Sequence, residues 1–447
     1  MSTLSSDATL SAVASGATRN RRTSSVGQFS LGDNASPSLS TMVPTDMQIR
    51  GSQHRQRALS QSDKSGMATL ATGSEKTLGS IERTWILYRE TAYRKTWVTP
   101  LFMMLVPLIA FALSKDHTPS NPIYPFLIPS YKIIPAEDGG AVMYGKGKKD
   151  FCFVMYYMLV FSFLREFSMQ QMLEPLAKAC GLTKQGKIKR FMEQTYSIMY
   201  YAIMSPWGLY IMHHMPLWYF ETRPMYEHYP HKSHELDFKL YYLLQAAFWA
   251  QQSVVLFLQL EKPRKDFKEL VFHHIVTIAL IFCSYRFHFT WIGIAIYITM
   301  DVSDLALATS KTLNYLNHPM TGPFFLFFMG VWIYSRHYLN LRILWSVATE
   351  FRTVGDFALN WETQQYKCWI SQYITFALLF ALQAVNAYWL FLILRIAYRL
   401  VFLEIQKDDR SDEEDEDEDE EPRPDQDQPA IEVNGGNFTD EQTKKTI

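Results

Sequence analysis

Two pairs of ionisable residues lie within otherwise apolar parts of the sequence. His273 and His274 are adjacent in the stretch VFHHIVTIALI, and Asp301 and Asp304 follow in YITMDVSDLALATSK. An imidazole titrates near neutral pH, so it can take a proton from a reacting group, and a carboxylate bonded to one ring nitrogen raises the basicity of the other. These residue types indicate catalysis or proton-coupled transport, with a purely structural role as the plainer alternative.

The spacing of these residues predicts how they face one another on two helices. Neighbouring helix residues differ by about 100° in direction, so His273 and His274 are expected to have different roles. Asp301 and Asp304 are three residues apart and share a helix face, and Tyr297 lies near the same stripe. Two consecutive helices with a short connection are antiparallel neighbours, so the histidines and aspartates are expected to meet at a similar depth.

The elements that must position these residues are predicted to be membrane-spanning helices. The part of the chain from about residue 85 to 405 holds most of the 30 Phe, 25 Tyr and 11 Trp. A spanning helix needs about 20 mostly apolar residues, and ionisable groups at that depth usually face a protein interior. The sequence therefore predicts an all-α polytopic bundle of about eight spans, at 97–114, 151–173, 196–213, 238–260, 270–286, 290–312, 324–341 and 370–400.

Basic residues near the span ends predict the orientation of the bundle. Lysines and arginines concentrate before the first span, after the second and after the fourth, and they favour the cytosolic side. Eight spans then place both termini in the cytosol. The chain ends in KKTI, which is similar to a dilysine retrieval signal, so we expect a multi-pass protein of the endoplasmic reticulum membrane.

The two ends of the chain differ in composition from its middle. Residues 1–80 are rich in Ser, Thr and Arg and predict a disordered regulatory tail, and residues 403–447 predict an acidic disordered tail. Ser24 and Ser60 each follow an R-x-R-x-x motif, and Ser411 precedes an acidic run, so all three are predicted phosphorylation sites. Between the tails, 81–150 is expected to hold the first span and a lumenal loop, and 151–402 the catalytic membrane domain.

The sequence predicts no metal site. The four cysteines, Cys152, Cys180, Cys283 and Cys368, are scattered without metal-ligand spacing, and the histidines outside the pair lie mostly in one loop at irregular spacings. A Gly-rich phosphate loop and a G-x-S-x-G elbow are also missing from the sequence. Neither a cofactor nor nucleic acid is expected.

The segment FKELVFHHIVTIALIFCSYRFHF, followed by GIAIYITMDVSDLALATSKTLNYL, resembles the Lag motif of ceramide synthases within the TRAM–LAG–CLN domain. AAFWAQQ upstream, and WIYSRHYLNLRILWS and TQQYKCWISQ downstream, are similar to the same family. The resemblance covers about residues 85 to 410, and the histidine and aspartate positions do not depart from the pattern. It is nearest to fungal longevity-assurance proteins, which also have an Arg/Ser-rich head and an acidic tail. The lack of the homeobox-like insert of many animal members fits this likeness.

The resemblance implies transfer of a fatty acyl group, from a very-long-chain acyl-CoA, to the amine of a sphingoid base. It implies catalytic roles for His273, His274, Asp301 and Asp304, a small single-span accessory subunit, and homo- or hetero-oligomers among membrane lipids. Acyl-CoA is then a substrate, and Tyr297 and the cations of EKPRKDFKE are candidate substrate-binding residues: Lys262, Arg264, Lys265 and Lys268. The alternative is a non-catalytic lipid transporter or translocon-associated protein of the same superfamily.

Two chemical routes are open at this point. In direct transfer, one histidine is the general base and a second donor, such as the other histidine or Tyr297, stabilises the oxyanion. In the two-step route, one histidine attacks the thioester and carries the acyl group as an acyl-imidazole. His273 is favoured as the reacting residue because it lies one turn before Thr277.

Overall fold

A computed structural model describes residues 80–134, 141–258 and 266–402, without the side chains of 80–83 and 401. Most of the two predicted tails, with Ser24, Ser60 and Ser411, lies outside the described residues. So do three of the four candidate CoA-binding cations, Lys262, Arg264 and Lys265.

The described part of the chain is mostly helical, which confirms the all-α character predicted for it. Two helices carry an internal π-helical turn: α4, at Ser168–Leu173, and α9, at Ile333–Leu339. The helices are α1 (Ser80–Arg94), α2 (Val98–Leu113), α3 (Tyr124–Leu127), α4 (Lys149–Phe167 and Glu174–Ala179), α5 (Gln185–His213), α6 (Leu236–Phe257), α7 (Phe267–Arg286), α8 (Thr290–Tyr315), α9 (Thr321–Trp332 and Asn340–Thr349) and α10 (Trp369–Phe402).

Within the described ranges, four helices are long and apolar enough to cross a membrane. They are α4, α7, α8 and most of α10, and α2 is apolar but shorter. The remaining three predicted spans fall within α5, α6 and α9, which are more polar. The described residues therefore form a helical bundle with four candidate membrane-spanning helices.

A small antiparallel sheet, which the sequence did not predict, lies at one end of the bundle. It joins β1 (Lys132–Ile133), β2 (Met143–Tyr144) and β3 (His234–Glu235) in that order. Strand β3 leads directly into α6, which then runs roughly 25 Å before its Ser253 contacts His274. The sheet and the histidine pair are therefore at opposite ends of the bundle.

Helix α8 is the centre of the bundle. It packs most extensively against α5 and also contacts α7 and α9, while α7 is itself packed between α6 and α10. Most of α8 is buried, whereas most residues of α7 are only partly buried. The aspartates of α8 are therefore enclosed by protein, and α7 has one face inward and the other outward.

Candidate active site

An apolar cavity of about 250 Å³ lies between α7, α8 and α10. On α7 it is lined by residues spaced three or four apart, from His273 and Thr277 to Ser284 and Phe287. This spacing places them on one face of the helix, and the stretch from His273 to Phe287 rises roughly 20 Å. The cavity is thus a long channel with a histidine at one end.

The other walls of the cavity follow the same helical spacing. On α8 they include Ile296, Met300 and Asp304, and on α10 they recur from Ile370 to Leu382. The loop before α10 forms the end of the cavity that is far from His273, with Leu359, Trp361, Tyr366 and Cys368. The lining is mostly apolar, and His273, Asp304 and Arg336 lie together at one end of it.

The two adjacent histidines occupy different environments. Their ring planes are 85° apart, and of the two only His273 lines the cavity. Its ring packs against Trp249, at 6.1 Å between centroids, and Trp389, at 5.1 Å. Its Nε2 lies 3.5 Å from the Thr277 hydroxyl, and its Nδ1 has no hydrogen-bond partner among the described residues. His273 therefore has a buried ring nitrogen that bonds no described residue.

His274 is held by the neighbouring helix α6. Its Nδ1 is 3.0 Å from the Ser253 hydroxyl, whose own proton is donated to the Trp249 carbonyl at 2.7 Å. The histidine must then be the donor in the first bond, so the neutral ring carries its proton on Nδ1. Ser253 thereby fixes both the tautomer and the orientation of His274.

The aspartates do not bond the imidazoles, contrary to the role that the sequence suggested for them. Asp304 lines the cavity beside His273, but its carboxylate forms a buried ion pair with Arg336 of α9. The same guanidinium donates to the Ser303 hydroxyl at 2.6 Å. A nearby cation is a stronger partner for a buried carboxylate than a neutral imidazole, which explains the difference.

Asp301 lies behind the cavity wall in a network of neutral donors. Its Oδ2 accepts hydrogen bonds from the Gln245 amide and from the Tyr241 hydroxyl, the latter at 3.3 Å. Gln245 in turn accepts a hydrogen bond of 3.0 Å from Tyr200. All these groups are buried, so Asp301 ties α5, α6 and α8 together behind the site.

Tyr297 lies on the cavity wall. Its hydroxyl is buried and makes no hydrogen bond to any other described residue, although its ring packs against Tyr241 and Tyr242. Lys268 lies exposed in the first turn of α7, outside the cavity and near the histidine end.

Sequence reasoning missed Arg336, Ser253 and the two tryptophans on His273. Arg336 had a signal, since it is an arginine within the apolar segment predicted to span at 324–341. Ser253, Trp249 and Trp389 are ordinary residues of apolar helices. Their importance comes only from tertiary contacts with the histidines.

Comparisons with known proteins show the family to which this helical bundle belongs. A family model for the TLC domain (TRAM_LAG1_CLN8) matches residues 190–395, which include α6 to α9 and most of α10. The chain is 50% identical over 395 residues to the sphingosine N-acyltransferase LAG1 of Saccharomyces cerevisiae, covering 88% of this chain and 92% of that protein.

Two further fungal relatives are similar over most of their length. The sphingosine N-acyltransferase lac1 of Schizosaccharomyces pombe is 47% identical, over 72% of this chain and 82% of its own. The sphingosine N-acyltransferase-like protein FUM17 of Gibberella moniliformis is 50% identical, over 74% and 86%. This chain belongs to the TLC-domain family of sphingosine N-acyltransferases, the ceramide synthases.

Proposed function

We propose that this protein transfers a fatty acyl group from acyl-CoA to the amine of a sphingoid base, producing a ceramide and CoA. The observation that carries the proposal is the apolar cavity with His273 at its end, in a chain that belongs to the ceramide synthases. A channel lined by apolar helix faces suits an alkyl chain, and an available imidazole suits reaction at its carbonyl.

The cavity is the proposed site of the acyl chain. Its length of roughly 20 Å along α7 suits a long chain, and its far end continues to the loop before α10. The family resemblance favours a very-long-chain acyl group. The thioester would then lie beside His273, where the apolar lining gives way to polar side chains.

His273 is the proposed reacting residue. In direct transfer its free Nδ1 takes a proton from the sphingoid ammonium or from the attacking amine, the amine nitrogen bonds the carbonyl carbon, and the thiolate of CoA leaves with the carbon–sulfur bond electrons. In the two-step route the same nitrogen first forms the new bond to the carbonyl carbon, and the amine then displaces it. Both routes release CoA as a thiol after proton return.

The remaining residues of the site have positioning roles in this proposal. A hydrogen bond to Ser253 fixes the orientation of His274, and the His274 ring packs against the ring of His273. Asp301 holds three helices in register through Gln245 and Tyr241. Tyr297, with its unpaired hydroxyl on the cavity wall, is placed to bond a polar group of a substrate.

The anionic nucleotide end of CoA is proposed to bind the basic segment before α7. Lys268 is exposed in the first turn of that helix, and Lys262, Arg264 and Lys265 precede it in the sequence. A thioester is already activated for acyl transfer, so no metal or cofactor is part of the proposed reaction.

The finer description of the whole protein also remains a proposal. It comprises eight spans, both termini in the cytosol, residence in the endoplasmic reticulum membrane, and phosphorylation of Ser24, Ser60 and Ser411. The small single-span accessory subunit and the homo- or hetero-oligomer belong to it too. The basic loops, the KKTI end and the family support this description.

The direct test is acyl transfer by the purified protein in lipid vesicles, with a labelled acyl-CoA and a sphingoid base. We expect an amide product, its loss in His273→Ala, and retention of the folded protein. Absence of amide from the wild type, with and without a co-expressed accessory subunit, would exclude the function. Intact mass after incubation with acyl-CoA alone separates the routes, because only the two-step route leaves an acyl group on the protein.

A further inference from the structure

A buried arginine occupies the histidine end of the cavity. Arg336 lies in the π-helical turn of α9 and is 1% exposed. Of the described residues that line the cavity, it alone carries a permanent positive charge. Burying a guanidinium at this depth is unfavourable unless it is paired, and ionisable residues within membrane helices usually have a functional role. Packing alone therefore does not explain Arg336.

Contacts through α10 place Arg336 close to the reacting histidine. Nη1 of Arg336 donates to Asn386 Oδ1 at 3.2 Å, and Trp389, three residues further on, packs against His273. Residues three apart share a helix face, so one face of α10 touches both the guanidinium and the imidazole.

The guanidinium is held rigidly, with one donor left over. Nε donates to Ser303, Nη2 to Asp304 and to the Met300 carbonyl, and Nη1 to Asn386. The plane lies over the Trp332 ring, with 4.0 Å from the guanidinium carbon to the centroid. A guanidinium has five N–H groups, so one N–H on Nη1 remains beyond those used by the described residues.

We propose that Arg336 is a catalytic residue that stabilises the oxyanion formed on the acyl carbonyl, with Asp304 as its counterion. This inference rests on the acyl transfer proposed above. As a nitrogen attacks the carbonyl carbon, the C=O π electrons move to the oxygen, which the free N–H of Arg336 receives. When the carbon–sulfur bond breaks, those electrons return to reform C=O, the thiolate leaves, and the amine proton passes to His273.

Physical reasons favour Arg336 for this role over Tyr297. A fixed cation in an apolar cavity interacts strongly with a developing negative charge and needs no reorientation during the reaction. Tyr297 lies by Tyr241 and Tyr242, about two turns of α8 from Asp304 and towards the sheet end. Asp304 then acts on the reaction only through Arg336, as a positioning residue.

The test must separate a catalytic charge from a structural ion pair. Removing only one partner would leave an unpaired buried charge and is strongly destabilising, so both are neutralised together in D304N/R336Q. We expect this variant to unfold near the wild-type temperature in detergent. Its kcat for amide formation should fall by about 10² to 10³-fold, as for loss of an oxyanion donor, with little change in KM for acyl-CoA.

The chain offers a matched control at the other end of the bundle. Lys239 and Asp150 form an ion pair of 2.7 Å with both side chains at most 2% exposed, and neither lines the cavity. D150N/K239Q therefore loses the same kind of pair and should keep wild-type kcat per folded molecule. A D304N/R336Q variant as active as this control would overturn the proposal.

R336K gives an independent measurement if the double variant does not fold. It keeps an ion pair with Asp304 but lacks the rigid fork of donors, so we expect a folded protein with kcat lowered about 10-fold or more. Unchanged kcat in folded R336K would also overturn the proposal. Because wild-type amide formation is measured alongside, failure of the proposed function is distinguishable from failure of this inference.

Discussion

Mild acid is expected to destabilise the end of the bundle that carries the sheet. Three buried histidines lie there, His231, His234 and His288, all outside the spanning segments. Burial lowers the pKa of His231 to about 4 and that of His288 to about 4, and the charge of Lys146 contributes in both cases. Burial and Lys146 also lower the pKa of His234.

The surroundings of these histidines explain why protonation is unfavourable. His231 stacks on Trp291 at 3.8 Å between centroids, and Lys146 donates to the His231 carbonyl at 2.8 Å. Lys146 also donates to the Thr290 hydroxyl at 3.1 Å, which contacts His234 Nε2 at 2.9 Å. The other residues whose charge acts on these histidines are basic: His228, Lys232, Arg286 and Lys239. Of these, Lys239 forms an ion pair with Asp150.

The sign and size of the effect follow from the two pKa values of His231. Its folded-state pKa, about 4, lies below the ordinary 6.5, so the unfolded chain binds more protons between these values. The stability is complete above about pH 6.5 and is lost as the pH falls through 4. At pH 5 the loss from His231 alone is about 2 kcal/mol.

The assay is the midpoint of thermal unfolding in detergent, measured for the wild type and H231Q/H288Q from pH 7.5 to 4.5. The wild-type midpoint should drop by several degrees between pH 7 and 5, and the double variant should show a clearly smaller drop. H214Q, which removes an exposed histidine, is the control and should behave as the wild type. Equal pH dependence in wild type and double variant would refute the reasoning.

Two further variants test the site and the cavity. Ser253→Ala removes the 3.0 Å partner of His274, so we expect about a 10-fold fall in kcat with the protein still folded; a rate equal to the wild type would show that this hydrogen bond does not position the ring. Leu378→Trp narrows the cavity between the two ends of its α10 wall, so the variant should prefer shorter acyl-CoA chains than the wild type does. Phe380→Trp, on the outward face of the same helix, should leave the chain-length preference unchanged. The same chain-length preference in both variants would place the acyl chain elsewhere.

The prediction of helices from the length of the apolar segments was sound because a helix satisfies its own backbone hydrogen bonds within the segment. All eight predicted segments fall largely within helices, including 270–286 and 290–312 with their ionisable residues. The three-stranded sheet was missed because each strand has two residues, too few for a periodic pattern. The ionisable pairs were recognisable because such residues are rare in apolar helices.

The sequence by itself determined that His273, His274, Asp301 and Asp304 stand on two neighbouring helices of a membrane bundle, and that the chain resembles ceramide synthases, which the comparisons confirmed. Local spacing suffices for that, because helix periodicity and residue type are properties of short segments.

Only the tertiary structure decided which partner each of these side chains has. Asp304 pairs with Arg336, which lies 32 residues away in the sequence, and His274 bonds Ser253, which lies 21 residues away. Such contacts depend on how α6, α7, α8 and α9 pack together, and no pattern within one helix specifies the rotation of its neighbour. The physical reason is that a buried charge or imidazole takes the best donor or acceptor that packing brings to it, wherever that group lies along the chain.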